Sequence, residues 1–335
     1  MFEIAIVGFD YALGTAILGL NDLLTLSGVT WNRIHRHAAT PRFRVTVASA
    51  DGRAICCINR LQLLPHGALD ALPPPDVLIV PTIGGNLART LELNPRIVDY
   101  LQQIDRARTL IAGNCTGVFF LAEAGLLDGK EATTHWGFAD IFRQRYPKVR
   151  LKPEQMMTHC DNILCAGGGH AWFDLGLYLV ERFCGHEAAV ETAKSFVIDM
   201  GRKSQFSYSP LDARKQHGDA AILAVQHWID QHASESFSLD SLAQGHGLSV
   251  RTLIRRFKKA SGETPLAYTQ AVRLERACKL IETRPIGIEA IAHQVGYEDV
   301  SSFSRLFKEK TGLSPSHYRE RYKRFSPPLA QDGEA

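Results

Sequence analysis

The chain has 335 residues, 45% hydrophobic and 22% charged, with no low-complexity tract, which excludes a disordered protein and is long enough for two cores. The formal net charge of +3 is unevenly placed: residues 241–325 hold 16 Lys and Arg against 8 Asp and Glu, a net +8 that leaves −5 for the rest. A basic end on an otherwise acidic chain fits a nucleic-acid module attached to a domain of another kind, with a solvated helical surface as the plainer alternative.

Seven scattered cysteines, an odd number, do not make a disulfide framework and point to a reducing cytoplasm. The apolar start, MFEIAIVGFDYALGTAILGLNDLLTL, carries Glu3 and Asp10 early, lacks a basic leader and is broken by Asn21 and Asp22, which argues against a signal peptide or membrane span. Residues 3–8 (EIAIVG), 43–52 (FRVTVASADG), 75–85 (PDVLIVPTIGG) and 109–117 (TLIAGNCTG) are β-branched runs that end in glycine or a turn. Helical stretches such as 94–108 (NPRIVDYLQQIDRAR) lie between them, so an α/β fold with a parallel sheet flanked by helices is expected over residues 1–200. Ligands of such sheets gather at the carboxyl ends of strands, here Gly8 to Asp10, Thr82 to Asn86 and Asn114 to Gly117.

The run GNCTG suits a nucleophile elbow, a sharp strand-to-helix turn that lifts Cys115 over the sheet edge. The helix after it should lower the thiol pKa through its free N–H groups and positive end, whereas a structural cysteine would simply be buried. His135 and Trp136 follow twenty residues on. In AGGGHAWFDLGLYLVERF (166–183) the glycines form a strand-to-helix turn, not a phosphate loop, because the Lys-Ser/Thr ending is absent; His170 and Trp172 are candidate pocket walls or ordinary packing. The pair His35 and His37 lacks further spaced ligands and reads as a surface loop, and Cys56-Cys57 as core strand, so no metal is expected. Residues 201–218 mix Ser, Pro, Gly and charge as a linker does.

The last hundred residues repeat. Phe257, Gly262, Pro265 and Tyr268 recur fifty positions later as Phe307, Gly312, Pro315 and Tyr318; Ala243 and Gly247 match Ala292 and Gly296 with a one-residue offset. Each copy reads as a short amphipathic helix, a glycine turn and a basic helix closed by glycine, a helix-turn-helix unit. Thr264-Pro265 and Ser314-Pro315 are an N-cap followed by proline at the first helical position. The helix starting at Pro265 should hold the two units at a fixed separation, which two recognition helices need to enter successive major grooves about 34 Å apart. Leu253, Phe257 and Ala260 form an inward stripe in the first unit and leave Arg251, Arg255 and Lys259 outside. Phe303, Leu306 and Phe307 face inward in the second, leaving Ser301, Ser302, Arg305 and Lys308. Arginine can read guanine, while Lys258, Lys259, Lys308 and Lys310 suit phosphate or solvent.

Residues 219–325, with VGYEDVSSFSRLFKEKTGLSPSHYR as signature, resemble the AraC/XylS-type DNA-binding domain. The resemblance implies an all-α domain with two helix-turn-helix units on asymmetric DNA sites. Its groove-facing positions would be Arg251, Thr252 and Arg255, then Ser301, Ser302 and Arg305, with apolar Ile254 at a position that is often polar. Residues 2–190, and AGNCTGVFFLAEAGLLDGKEATTHW in particular, resemble the ThiJ/PfpI branch of the class I glutamine amidotransferase-like superfamily, in the GlxA-type version fused to AraC-type domains. That likeness implies a cleft made by Cys115, Thr116, His135, Trp136 and His170, with Gly84 and Gly85 where the family has its oxyanion-type loop. Where the enzymes hold a carboxylate against the cysteine, this chain has Ala16, and neither Asp10 nor Asp22 is in register. No catalytic residue and no cofactor is therefore expected. The implied partners are an operator in double-stranded DNA, a small-molecule effector such as an amino acid or quaternary amine, a second copy of the chain as homodimer, and RNA polymerase, with no membrane. The rivals are a cysteine-dependent hydrolase or amidase-like enzyme fused to a DNA-binding domain, and a first domain that serves dimerisation alone. Residues 326–335 read as a disordered tail.

Overall fold

A computed structural model describes residues 1–202, 204, 205, 208, 215 and 217–322. They divide into two units, 1–205 and 206–335. The tail expected at 326–335, most of the linker and residues 323–325 lie outside the described residues.

The first unit is built on seven strands with five principal helices: β1 Phe2–Gly8, α1 Gly14–Leu26, β2 Phe43–Ser49, β3 Gly67–Ala68, β4 Val77–Val80, α2 Pro95–Gln103, β5 Leu110–Asn114, α3 Val118–Glu123, β6 Met157–Cys160, β7 Ile163–Ala166, α4 Ala171–Cys184 and α5 His186–Phe196. The strand order is β6-β7-β5-β4-β1-β2-β3. All pairings are parallel except β6 with β7, so the expected parallel sheet carries one antiparallel edge strand. Every residue of β4, β5 and β7 is buried, as strands covered on both faces must be. On one side α1 packs with α4 and α5; α2 packs with α3. The helix expected over 94–108 stops at Gln103, because Ile104 is extended and the Asp105 carboxylate caps a turn through the Ala107 amide. Cys56-Cys57 departs from the core-strand expectation: Ile55–Cys56 belongs to a two-strand hairpin with Gln62–Leu63, and Cys56 is exposed while Cys57 is buried.

The second unit is helical: α6 Ala220–His232, α7 Leu239–Gly245, α8 Val250–Ser261, α9 Pro265–Thr283, α10 Ile288–Gln294, α11 Val300–Thr311 and α12 Pro315–Tyr322. It has two cores. Ile222, Val225, Leu242, Leu253, Phe257 and Tyr268 make one; Ile281, Ile291, Phe303, Phe307 and Tyr318 make the other. The helix α9 is shared, its first half giving Ala271 and Val272 to one core and its second half Leu274, Ala277 and Cys278 to the next. Nineteen continuous helical residues, about 28 Å, make it a stiff joint. The turns use glycine for reasons of backbone: Gly247 and Gly296 sit at φ 66° and 94°, and a Cβ on Gly296 would stand 2.6 Å from the Ser234 carbonyl. Thr264 and Ser314 cap α9 and α12 as expected, accepting the amides of Ala267 and His317, each at 3.3 Å.

Candidate functional site

Two places carry chemistry. The first is at the carboxyl end of β5, where Cys115 sits at φ 56°, the left-handed backbone of an elbow, before a single 3-10 turn leads into α3. Gly117 lets this turn press against the sheet, since a Cβ there would meet the Pro81 carbonyl at 2.3 Å. The thiol, however, is not lifted into solvent. Cys115 is 4% exposed, and burial pushes its pKa up, opposed by hydrogen bonds from the Thr116 and Gly169 amides and from the Thr116 and Thr82 hydroxyls. The expected lowering of the thiol pKa is thus reversed, because removal from water outweighs the local dipoles and no carboxylate or cation stands among the groups that set it.

His135 does not complete a pair with this sulfur through its Nδ1. That atom accepts the Gly137 amide at 3.0 Å and caps the turn Trp136–Phe138. Its pKa is lowered by burial, which favours the neutral ring with the proton on Nε2. Trp136 is half-buried with its ring 5.0 Å from His135. Thr116 donates to the Ile83 carbonyl at 2.8 Å, and Thr134 donates to the Cys115 carbonyl at 2.7 Å. The Gly84 amide, in the oxyanion-type loop, already donates to the Tyr11 carbonyl at 2.8 Å, and Gly85 packs beside Tyr11. His170 is exposed at the start of α4, and Trp172 is not a pocket wall: it is buried, stacked 3.7 Å from Phe173 and pressed onto Gly19 of α1.

Ala16 is fully buried in α1, Asp10 spends a carboxylate oxygen on the Cys56 amide at 2.8 Å, and Asp22 is exposed. The sequence places Asn114, beside the cysteine, at a strand end where ligands gather but gives it no role of its own. Its Nδ2 donates to the Thr82 hydroxyl at 2.7 Å, while its Oδ1, fully buried, has no donor among the described residues. A polar residue at the end of an otherwise apolar strand was the available signal. A separate cleft of about 360 Å³ opens at the ends of β1 and β2, lined by Asp10, Asp51, Arg53, Asn94 and Arg96 among others and including neither Cys115 nor His135. Among the described residues no cluster of His, Cys, Asp and Glu could hold a metal ion, and no helix is long and apolar enough to cross a membrane.

The second place is the pair α8 and α11. Arg251 and Arg255 are exposed on α8, with Thr252 half-buried; Ser301 and Arg305 are exposed on α11, with Ser302 half-buried. Position by position, 251–259 and 301–309 have the same alternation of buried and exposed residues. Ser249 caps α8 through the Thr252 amide at 3.3 Å and also donates to the Thr252 hydroxyl at 2.9 Å. Asp299 caps α11 by accepting the amides of Ser301 at 3.1 Å and Ser302 at 2.8 Å. Arg256, one residue past Arg255, is committed inside the unit by a two-pronged ion pair with Asp219, at 3.0 and 2.6 Å. The repeated tyrosines are buried in parallel ways, Tyr268 donating to Asp230 at 3.0 Å and Tyr318 to Glu282 at 2.7 Å.

Two helix-turn-helix units on one stiff helix, following an α/β unit with an elbow cysteine, define a DNA-binding transcriptional regulator. Residues 242–321 match the helix-turn-helix domain family and residues 29–182 the DJ-1/PfpI family. The HTH-type transcriptional regulator CdhR of Pseudomonas aeruginosa is 30% identical over 86% of this chain and 84% of its own. The regulator GbdR of the same species is 27% identical over 83% of this chain and 75% of its own. The protein belongs to the AraC-type helix-turn-helix transcriptional regulators with an N-terminal DJ-1/PfpI domain. The crystal structure of a putative transcriptional regulator from Vibrio parahaemolyticus, 20% identical, superposes with a TM-score of 0.50 over 58% of this chain and 97% of that one, a likeness of fold alone.

Proposed function

We propose that this regulator is a cytoplasmic homodimer in which the first unit binds a small nitrogen-containing metabolite beside Cys115, without turning it over, and thereby sets operator binding by Arg251, Thr252, Arg255, Ser301, Ser302 and Arg305. The observation that carries the sensing half is the elbow itself: the left-handed backbone is present, while hydroxyls and amides and no carboxylate set the thiol, and His135 Nδ1 is taken by the Gly137 amide. A nucleophile needs a base and a group to orient it, and losing a member of such a set costs orders of magnitude in rate without abolishing binding. The unpaired Asn114 Oδ1 favours a ligand with N–H donors, such as an amino acid, over a quaternary amine, which has none. A second reading places the effector in the cleft at the ends of β1 and β2, whose lining includes both carboxylates, Asp10 and Asp51, and guanidinium groups, Arg53 and Arg96, and so suits a zwitterion. In either case the effector must bind two states of the dimer with different affinity. A linker, expected over 201–218 but starting after Gln205, where the first unit ends, and contact with RNA polymerase complete the proposal.

Native mass spectrometry of the full chain with a panel of amino acids and quaternary amines tests it. An amino acid bound intact, released on denaturation and lost in Asn114→Ala but kept in Arg53→Ala, supports the Cys115 site. The reverse pattern supports the cleft, and consumption of the compound that depends on Cys115 establishes an enzyme.

A further inference from the structure

The end of the first unit is tied to the loop that covers Cys115. Gln205, its last residue, is 2% exposed although it lies in a stretch with the composition of a linker. Its Oε1 accepts the Gly168 amide at 2.7 Å. Its Nε2 lies 2.9 Å from the Thr134 carbonyl, 3.0 Å from that of Gln155, 3.1 Å from that of Pro153 and 3.2 Å from the Thr133 hydroxyl. The Gln205 amide itself donates to the Glu154 carbonyl at 2.8 Å. Three residues earlier, Arg202 pairs with the buried Asp174 and donates to the His170 carbonyl at 3.0 Å.

These bonds join the two segments that enclose the thiol. On one side the Gly169 amide lies near enough to the Cys115 sulfur to counter the rise in its pKa, and Gly168 lies so close to His135 that a Cβ there would stand 2.2 Å from the ring. On the other, Thr134 donates to the Cys115 carbonyl. Gly167 admits Gln205, since a Cβ at that position would stand 2.3 Å from Nε2. Cys115 is 4% exposed, and movement of either segment away from it breaks hydrogen bonds to Gln205. A buried primary amide that loses them is costly to leave unpaired, so the opening and the loss of Gln205 from its seat belong together.

We infer that Arg202 and Gln205 form a latch: opening of the Gly167–His170 loop over Cys115 and release of Gln205, where the chain leaves the first unit, are one event. The regulatory meaning rests on the effector site proposed at Cys115; the coupling itself does not. Coupling of this kind is reciprocal.

The test uses the full chain and iodoacetamide, with no effector. Gln205→Ala is expected to speed alkylation of Cys115 at least about tenfold. Cys57, buried elsewhere in the same unit, and Cys278, in the other, keep their rates and report that the fold is intact. Gln205→Glu, which keeps the volume and removes the donors, should do the same. In the other direction, wild-type protein alkylated at Cys115 should exchange the Gln205 and Gly168 amide hydrogens at least about tenfold faster. Unchanged Cys115 labelling in both variants, or unchanged exchange after alkylation, overturns the latch. If Gln205→Ala also exposes Cys57, the Gln205→Glu and exchange results decide. A latch that passes while no metabolite binds beside Cys115 leaves the coupling standing and removes the effector reading.

Discussion

The two helix-turn-helix units share one frame and differ in what the frame presents. From 251 to 259 and from 301 to 309 burial alternates identically, and the anchor residues Phe257 and Phe307, Tyr268 and Tyr318 are equivalent. Yet α8 carries five basic residues and no acid, whereas α11 carries three basic residues and Glu309, and starts on serines held by an acidic cap. Packing thus fixes which positions face outward, and the outward residues then divide the work. Under the proposed function the first helix-turn-helix would supply more attraction to phosphate, and the second would offer Arg305 as its one long side chain for reading a base.

The comparison is broken most directly through the cores. Phe257→Ala and Phe307→Ala should each destabilise by about 3–5 kcal/mol, because each ring is fully buried and the neighbours cannot close the space. Urea unfolding of each variant, followed by Trp228 fluorescence and by amide signals of 288–318, should show the mutated core yielding first. Equal effects on both probes from both variants would mean that α9 makes a single cooperative body of the two. Next come the readers. Arg255→Ala and Arg305→Ala should each weaken a specific operator by about 1–3 kcal/mol and relax base preference at one position. Arg256→Ala, equally basic on paper, should act through folding of the first unit by freeing Asp219, and leave base preference unaltered. Smaller still, a Lys258→Ala, Lys259→Ala double variant should lower the slope of log K against log salt by up to about 2 while sparing specificity; a larger loss of specificity than of slope would assign these lysines to bases.

The C-terminal unit was legible in the sequence because it says everything twice. A repeat at a fixed spacing exposes core, turn and cap together, and Gly296, Asp299 and Pro315 each have a local reason that can be read from neighbours within a few residues. The β-branched runs gave four of the seven strands in the same way, and missed the short edge pair Gly67–Ala68, the antiparallel edge Met157–Cys160 and its neighbour Ile163–Ala166. The sensor site was half legible. Its elbow has a local signature in GNCTG, and the left-handed backbone at Cys115 follows it. The state of Cys115 was not legible, since the groups around it include Gly169, fifty-four residues later, and Thr82 and Thr134 from elsewhere in the chain. Gln205 was hidden for the same reason. Its bonds reach across 37 to 72 residues, and nothing in GRKSQFSYSP distinguishes a glutamine that is buried from one that is free.

The least difference between the units concerns acid. Ser249 caps α8 with a hydroxyl that does not titrate, at a worth of about 1 kcal/mol to that helix. Asp299 caps α11 with a carboxylate whose pKa is lowered, first by the Ser302 hydroxyl and then by the Ser302 and Ser301 amides. A depressed carboxylate contributes stability that is fully present above its unfolded pKa, about 3.9, and is lost as pH falls through the lower folded value. Between neutral pH and about 5 the two recognition helices should therefore be equally firm. Below about 4 the first turn of α11 should loosen while that of α8 holds, seen as faster exchange of the Ser301 and Ser302 amides relative to Thr252. Asp299→Ser should make the two units respond alike. Loosening of both helices at the same pH in the wild type would place the acid-sensitive contact elsewhere, with Asp219, which holds Arg256 of α8, as the first group to examine.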